Sequence, residues 1–147
     1  MRPTLDACWM AVARAVATRG ACARARVGCV LVDAAGRAVS TGYNGRSPGL
    51  ANCGGGWRCP GASDEGGCEA THAEANAVAA ADRPSRTACA YVTVMPCLRC
   101  AKLLLATGCR RVVYREPHPE AAAVAVLLAE AGAELVQESG DGALAEA

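Results

Sequence analysis

The sequence predicts an α/β fold, a three-layer α/β/α sandwich around a mixed five-stranded sheet. Three observations predict it. Short apolar runs bounded by Gly, Pro and Asp recur along the chain and read as strands. Longer stretches between them carry apolar residues at helical spacing. In the second half the two kinds alternate, which implies parallel strands joined by crossover helices, whereas the first half carries a hairpin. A chain of 147 residues can bury one proper core, and no repeat or linker divides it, so residues 1–147 read as a single domain.

Thr4 is placed to cap a first helix, about Leu5 to Thr18, which Gly20 ends. Leu5, Cys8, Trp9, Val12 and Val16 give it an apolar stripe. Val27 to Val32 is a continuous apolar run, as in a strand covered on both faces. Asp33 to Gly36 reads as a turn, with an antiparallel return strand over Arg37–Tyr43. A Gly-, Pro- and Cys-rich insertion then occupies about 44–70, too long for an ordinary connection in a compact domain. Beyond it the spacing predicts a helix over His72–Ala81 and a strand over Ala88–Val94. A third helix follows over Cys97–Thr107, then a strand over Arg111–Tyr114. A fourth helix over Glu120–Ala131 and a last strand over Glu134–Gln137 complete the pattern, with a tail fraying from about 139.

Composition removes several function classes. Apolar residues make up 52%, yet there is no Phe and aromatics reach only 3%, so the stacking surfaces that single-stranded nucleic acid needs are missing. A net charge of +1 supplies no electrostatic footprint for nucleic acid either. No apolar run approaches the length of a membrane span. Asp6 and Arg14 bracket the stretch Ala7–Ala13 too closely for a signal peptide, which points to the cytoplasm. Ten cysteines would suggest disulfides in a small secreted protein, but here Cys97 and Cys100 are better explained as metal ligands in a reducing compartment.

The chemistry concentrates in two stretches, Thr71-His72-Ala73-Glu74 and Met95-Pro96-Cys97-Leu98-Arg99-Cys100. One His and two Cys suit a tetrahedral zinc and leave its fourth position open to water, the mark of a catalytic rather than a structural site. Cys97 and Cys100 can grip one ion from the first turn of a helix starting near Pro96, where the helix dipole favours thiolates. His72 and Glu74, two residues apart, do not share a helix face. They converge only on a point off the helix N-terminus. Taken singly, each motif has a plainer meaning. Thr71-x-x-Glu74 is also a capping box, and Cys97-x-x-Cys100 also fits a redox pair or half a zinc ribbon. His118, between Pro117 and Pro119, reads as a loop residue at the surface rather than a ligand.

His-x-Glu followed by Pro-Cys-x-x-Cys resembles the signature of zinc-dependent nucleobase deaminases. The wider pattern resembles the deoxycytidylate (dCMP) deaminase family of the cytidine deaminase-like superfamily, from about Ala17 to Leu135. It rests on Val27-Gly28, Thr41-Gly-Tyr-Asn-Gly45 with Ser47-Pro48, and His72-Ala-Glu-x-Asn-Ala77. Tyr91-Val-Thr93, Cys100-Ala-Lys102 and Val112-Val-Tyr114 extend it. The resemblance implies His72, Cys97 and Cys100 as ligands of a catalytic zinc. It also implies Glu74 as the shuttle that takes a proton from the metal's water and passes it to the ring nitrogen and departing amine. It implies that Asn44 contacts the sugar hydroxyl, although Asn before Gly45 also suits a turn with left-handed backbone. Ala73, between His72 and Glu74, joins the expected substrate contacts.

A monophosphate needs cationic donors. Arg24, Arg26 and Arg46 are candidates, and Arg26, directly before Val27-Gly28, is the first choice. Family members also carry a structural zinc in the insertion, which here would use Cys22, Cys53, Cys59 and Cys68. The spacing is loose, and these could instead be ordinary thiols. Cys8, Cys29, Cys89 and Cys109 read as small core residues. The resemblance further implies regulation by dCTP and dTTP, and a homo-oligomer. The expected reaction is dCMP to dUMP and ammonia. The alternatives are another small amine-bearing substrate or a zinc-stabilised binding module without catalysis.

Overall fold

The computed structural model describes residues 2–22, 24–53 and 68–140. The expected fold class holds. A five-stranded sheet runs in the order β2–β1–β3–β4–β5, with β1 (Gly28–Asp33), β2 (Ala38–Tyr43), β3 (Thr87–Val94), β4 (Arg111–Glu116) and β5 (Glu134–Gln137). β1 pairs antiparallel with both β2 and β3, and β3, β4 and β5 run parallel. The hairpin turn is set by Asp33, whose Oδ1 accepts the N–H groups of Ala35 and Arg37, while Gly36 takes φ +79°.

Strand alternation divides the core. Cys29, Leu31, Ala90, Val92 and Val112 face α2 (Ala73–Ala80), α3 (Leu98–Ala106) and α4 (Ala121–Glu130). Val30, Val32, Tyr91 and Val113 face α1 (Leu5–Ala17), which presents Met10 and Ala13. Thr4 caps α1 as expected, its Oγ1 accepting Ala7 N–H at 3.1 Å. A Cβ on Gly28 would stand 2.0 Å from the Ala13 carbonyl oxygen, so α1 lies on β1 at a separation only glycine permits. Cys29, Cys89 and Cys109 are buried, whereas Cys8 lies on the exposed side of α1, outside the core expected for it.

A polar cluster pins α1 to the sheet. Asp6 accepts two hydrogen bonds from the Arg111 guanidinium, at 2.8 and 2.7 Å, and one from Tyr91 Oη at 2.8 Å. Arg111 Nε donates to Glu134 at 2.8 Å. The guanidinium beside Asp6 holds its carboxyl below the ordinary value. Past β5, Arg115 donates to Glu138 and to the Gly140 carbonyl, and residues 141–147 lie outside the described part. No helix among the described residues is long and apolar enough to cross a membrane.

Candidate active site

The insertion is closed at its base. Gly45 and Thr71 exchange backbone hydrogen bonds of 3.1 and 2.8 Å, and Arg46 pairs with Glu69 at 2.8 Å. The chain therefore re-enters the fold beside Tyr43 and starts α2 at once, with His72 as N-cap. Two further contacts fix that start. Asn76 Nδ2 donates to the Tyr43 carbonyl at 2.7 Å, and α2 rests directly on Gly42, where a Cβ would lie 2.3 Å from the Ala73 oxygen and from the Ala77 nitrogen. The glycine and asparagine of the sequence pattern thus hold the helix that carries the chemistry. The capping box does not form: Thr71 belongs to the bridge with Gly45, and no side chain caps α2.

β3 delivers the second half. Met95 N–H donates to Glu116 O at 2.8 Å, continuing the parallel ladder, and Pro96 then leads into α3. The N-cap of α3 is Cys97, with Leu98 the first helical residue, so the helix begins just after the position expected from Pro96. Two helix N-termini meet, and both thiols lie 3.5 Å from Nδ1 of His72. The three ligand atoms all fall within 4.8 Å of one another. Zinc–nitrogen and zinc–sulfur bonds at a tetrahedral angle span roughly 3.6 Å from N to S. The spacing and the donor set therefore fit a zinc ion held by Nδ1 of His72 and the sulfurs of Cys97 and Cys100.

Glu74 lies beside this group and is 4% exposed. Burial pushes its carboxyl above the ordinary carboxylate value. Burial, followed by the nearby Glu74 charge, pushes the Cys100 thiol far up. A divalent cation reverses that balance by favouring the thiolate, which agrees with a metal position here.

The group opens into a cleft of about 380 Å³, lined also by Ala73, Asn44, Arg24, Val27, Met95 and His118. Asn44 is 8% exposed, and both ends of its amide grip the backbone: Oδ1 accepts Val27 N–H at 2.8 Å, and Nδ2 donates to Ala25 O at 2.8 Å. No non-glycine residue among those described has positive φ, so Asn44 is not there for a left-handed turn. Its clamp on residues 25 and 27 puts Arg24 on the cleft, while Arg26 lines an adjoining hollow of about 410 Å³ with Arg19, Cys22 and Cys53. Arg46 bonds Glu69 and the Ala51 carbonyl. Cys22 borders both spaces, Cys68 borders the cleft, and Cys59 lies outside the described residues.

His118 is the residue that local pattern misses. It does sit in a loop, yet that loop follows β4, whose carboxyl end lies beside that of β3, and ligand sites gather at such ends. Its Nδ1 accepts Glu120 N–H at 3.0 Å, so the ring hydrogen sits on Nε2 and His118 can serve the cleft as a donor. The topology, rather than the Pro-His-Pro sequence, carried that signal.

The model of the cytidine and deoxycytidylate deaminase zinc-binding region matches residues 3–116. The deoxycytidylate deaminase of Mycobacterium phage D29 is 42% identical over 126 residues, 77% of this chain and 95% of the phage protein. That of Schizosaccharomyces pombe is 39% identical over 144 residues, 92% of this chain but 44% of the yeast protein. That of Saccharomyces cerevisiae is 38% identical over 125 residues, 80% of this chain and 39% of its own length. The chain thus spans under half the length of the two yeast relatives. Among solved structures, dCMP deaminase from the cyanophage S-TIM5, in complex with dCMP and dUMP, aligns with a TM-score of 0.74 at 24% identity. The alignment covers 94% of this chain and 99% of that one, and it establishes the shared fold.

Proposed function

This chain belongs to the cytidine and deoxycytidylate deaminase zinc-binding family, and from that premise we propose that it hydrolyses dCMP to dUMP and ammonia with a zinc ion held by His72, Cys97 and Cys100. The observation that carries the proposal is the convergence of those three ligands with the buried Glu74 at the head of a nucleotide-sized cleft. Zinc, when bound, would supply Lewis acidity and bring water towards the ionised form near neutrality. Glu74 is the proton carrier: burial raises its affinity for a proton, so it can accept one and release it to the ring nitrogen and the leaving amine. Val27 and Met95 form apolar walls for the base, and the Ala73 backbone lies beside it.

Arg24 and His118 provide donors towards the more exposed end of the cleft, where a phosphate keeps part of its hydration. A second substrate class has one observation in its favour. Arg26 turns to the neighbouring hollow and Arg46 is engaged with Glu69, which leaves fewer cations for a phosphate than the sequence offered. Ammonia release from dCMP, deoxycytidine and cytidine separates the two. Turnover of dCMP at least tenfold above deoxycytidine is expected. Activity on the nucleosides alone would replace the nucleotide with a nucleoside.

A second, structural zinc would draw on Cys22, Cys53 and Cys68, which border adjoining spaces but form no metal-ligand cluster among the described residues, together with Cys59. Metal analysis of the purified chain should then give two zinc ions, and a single one would remove this second site. Arg19 and Arg26 in the hollow make it the place to test for dCTP and dTTP. Titration of either nucleotide against dCMP turnover, with the oligomeric state followed by light scattering, tests the regulated homo-oligomer.

A further inference from the structure

We infer that Glu120 is a positioning residue for the zinc ligand Cys97, an inference that rests on the metal site proposed above. A helix leaves its first amides without internal partners, and the N-cap side chain ordinarily accepts from one of them. The N-cap of α3 is Cys97, whose sulfur faces His72 and makes no capping bond. The first amide of the helix, Leu98 N–H, instead donates to Oε2 of Glu120 at 2.9 Å, across 22 positions of sequence.

Glu120 precedes α4, so the bond crosses between two elements and ties the start of one helix to the start of another. Its backbone is anchored in turn, since Glu120 N–H donates to Nδ1 of His118 at 3.0 Å. Nδ1 and the Glu120 carboxylate stand 3.9 Å apart, beyond hydrogen-bond reach, so the carboxylate serves Leu98 rather than His118. A negative group there also suits the positive end of the α3 dipole. Leu98 directly follows Cys97, so the capped peptide is the one that carries the ligand. Glu120 satisfies from a distance the first open amide of the helix, on the residue next to the ligand, and it keeps the Cys97 sulfur within tetrahedral range of His72.

The test measures zinc affinity by competition with a chromophoric chelator, and thiolate-to-metal absorption after cobalt substitution. E120A should weaken zinc binding about tenfold or more, the usual scale for groups that orient a ligand. E120Q keeps an acceptor and should restore both the affinity and the cobalt spectrum. Leu98→Pro removes the same bond from the other side. Proline is tolerated at the first helical position, and Cys97 already has the extended ψ of 168° that a residue before proline requires. L98P should weaken binding like E120A, L98A should not, and the double variant E120A/L98P should be no worse than either single one. Wild-type affinity in both E120A and L98P overturns the inference, as does a double variant whose losses add. Should E120A fail to fold, L98P against L98A decides it. A wild-type chain that takes up no zinc overturns the metal site itself, and this inference with it.

Discussion

Two polar clusters lie on opposite faces of the sheet, and they are built on opposite principles. Under α1, Asp6, Tyr91, Arg111 and Glu134 settle their charges among themselves: each donor has an acceptor within 2.8 Å, and the guanidinium holds the Asp6 carboxyl in its ionised form. At the ends of α2 and α3, burial drives Glu74 and Cys100 towards their protonated forms, and the Glu74 charge raises the Cys100 thiol further. The first cluster is complete as it stands and does mechanical work. The second gathers an imidazole, two thiols and a buried carboxylate that a cation would balance, and the proposed chemistry belongs there.

Removing the cation is the strongest way to break the contrast. Dialysis against a strong chelator should abolish ammonia release and lower the melting temperature, and zinc should restore both. Activity that survives in metal-free protein would sink the proposal. Glu74→Gln comes next, with turnover expected to fall about a thousandfold or more while zinc content and folding persist, since proton transfer is what the substitution removes. Parallel assays of metal and rate check it.

Gly42→Ala tests the support beneath the site instead of its groups. The added Cβ meets backbone of α2 at both Ala73 and Ala77, so the helix must shift, at about 3 kcal/mol of stability and with a clear loss of turnover. Urea unfolding and the rate measure the two effects. Asp6→Asn is the mildest case and should leave turnover alone. Asp6 titrates below its ordinary 3.8 in the folded chain, so its contribution is present above that value and lost as pH falls through the lower folded one. With the side chain 30% exposed, the variant should lose about 1–2 kcal/mol at pH 7. The difference from wild type should shrink below pH 4, as thermal melts across pH would show.

The clusters also differ in how far the sequence disclosed them. His72, Glu74, Cys97 and Cys100 sit in motifs whose spacing is tied to helix geometry, and the mixed five-stranded sheet, though not its order, follows from a hairpin and two crossovers. These were readable because local rules determine them. The Asp6–Arg111 pair joins residues 105 positions apart and has no local signature. The same holds for His118, which reaches the cleft because β4 runs parallel to β3, and for Glu120, which reaches the start of α3. Which of Arg24 and Arg26 lines the cleft goes with Asn44 gripping the backbone at Ala25 and Val27, a tertiary contact that no local pattern announces. Asn44, which the family resemblance assigns to a sugar hydroxyl, uses both ends of its amide to fix the rim.

The mutual bonds of Gly45 and Thr71 have a consequence for engineering. They act as a clasp, so the strand before and the helix after are tied to each other directly and not only through the chain strung between them. Loop closure becomes dearer only slowly with length, by about 0.6 kcal/mol per doubling. The scaffold is therefore tied together independently of the length of its longest excursion, while Cys68 and Ala70, where that excursion returns, line the cleft and must be kept in any graft.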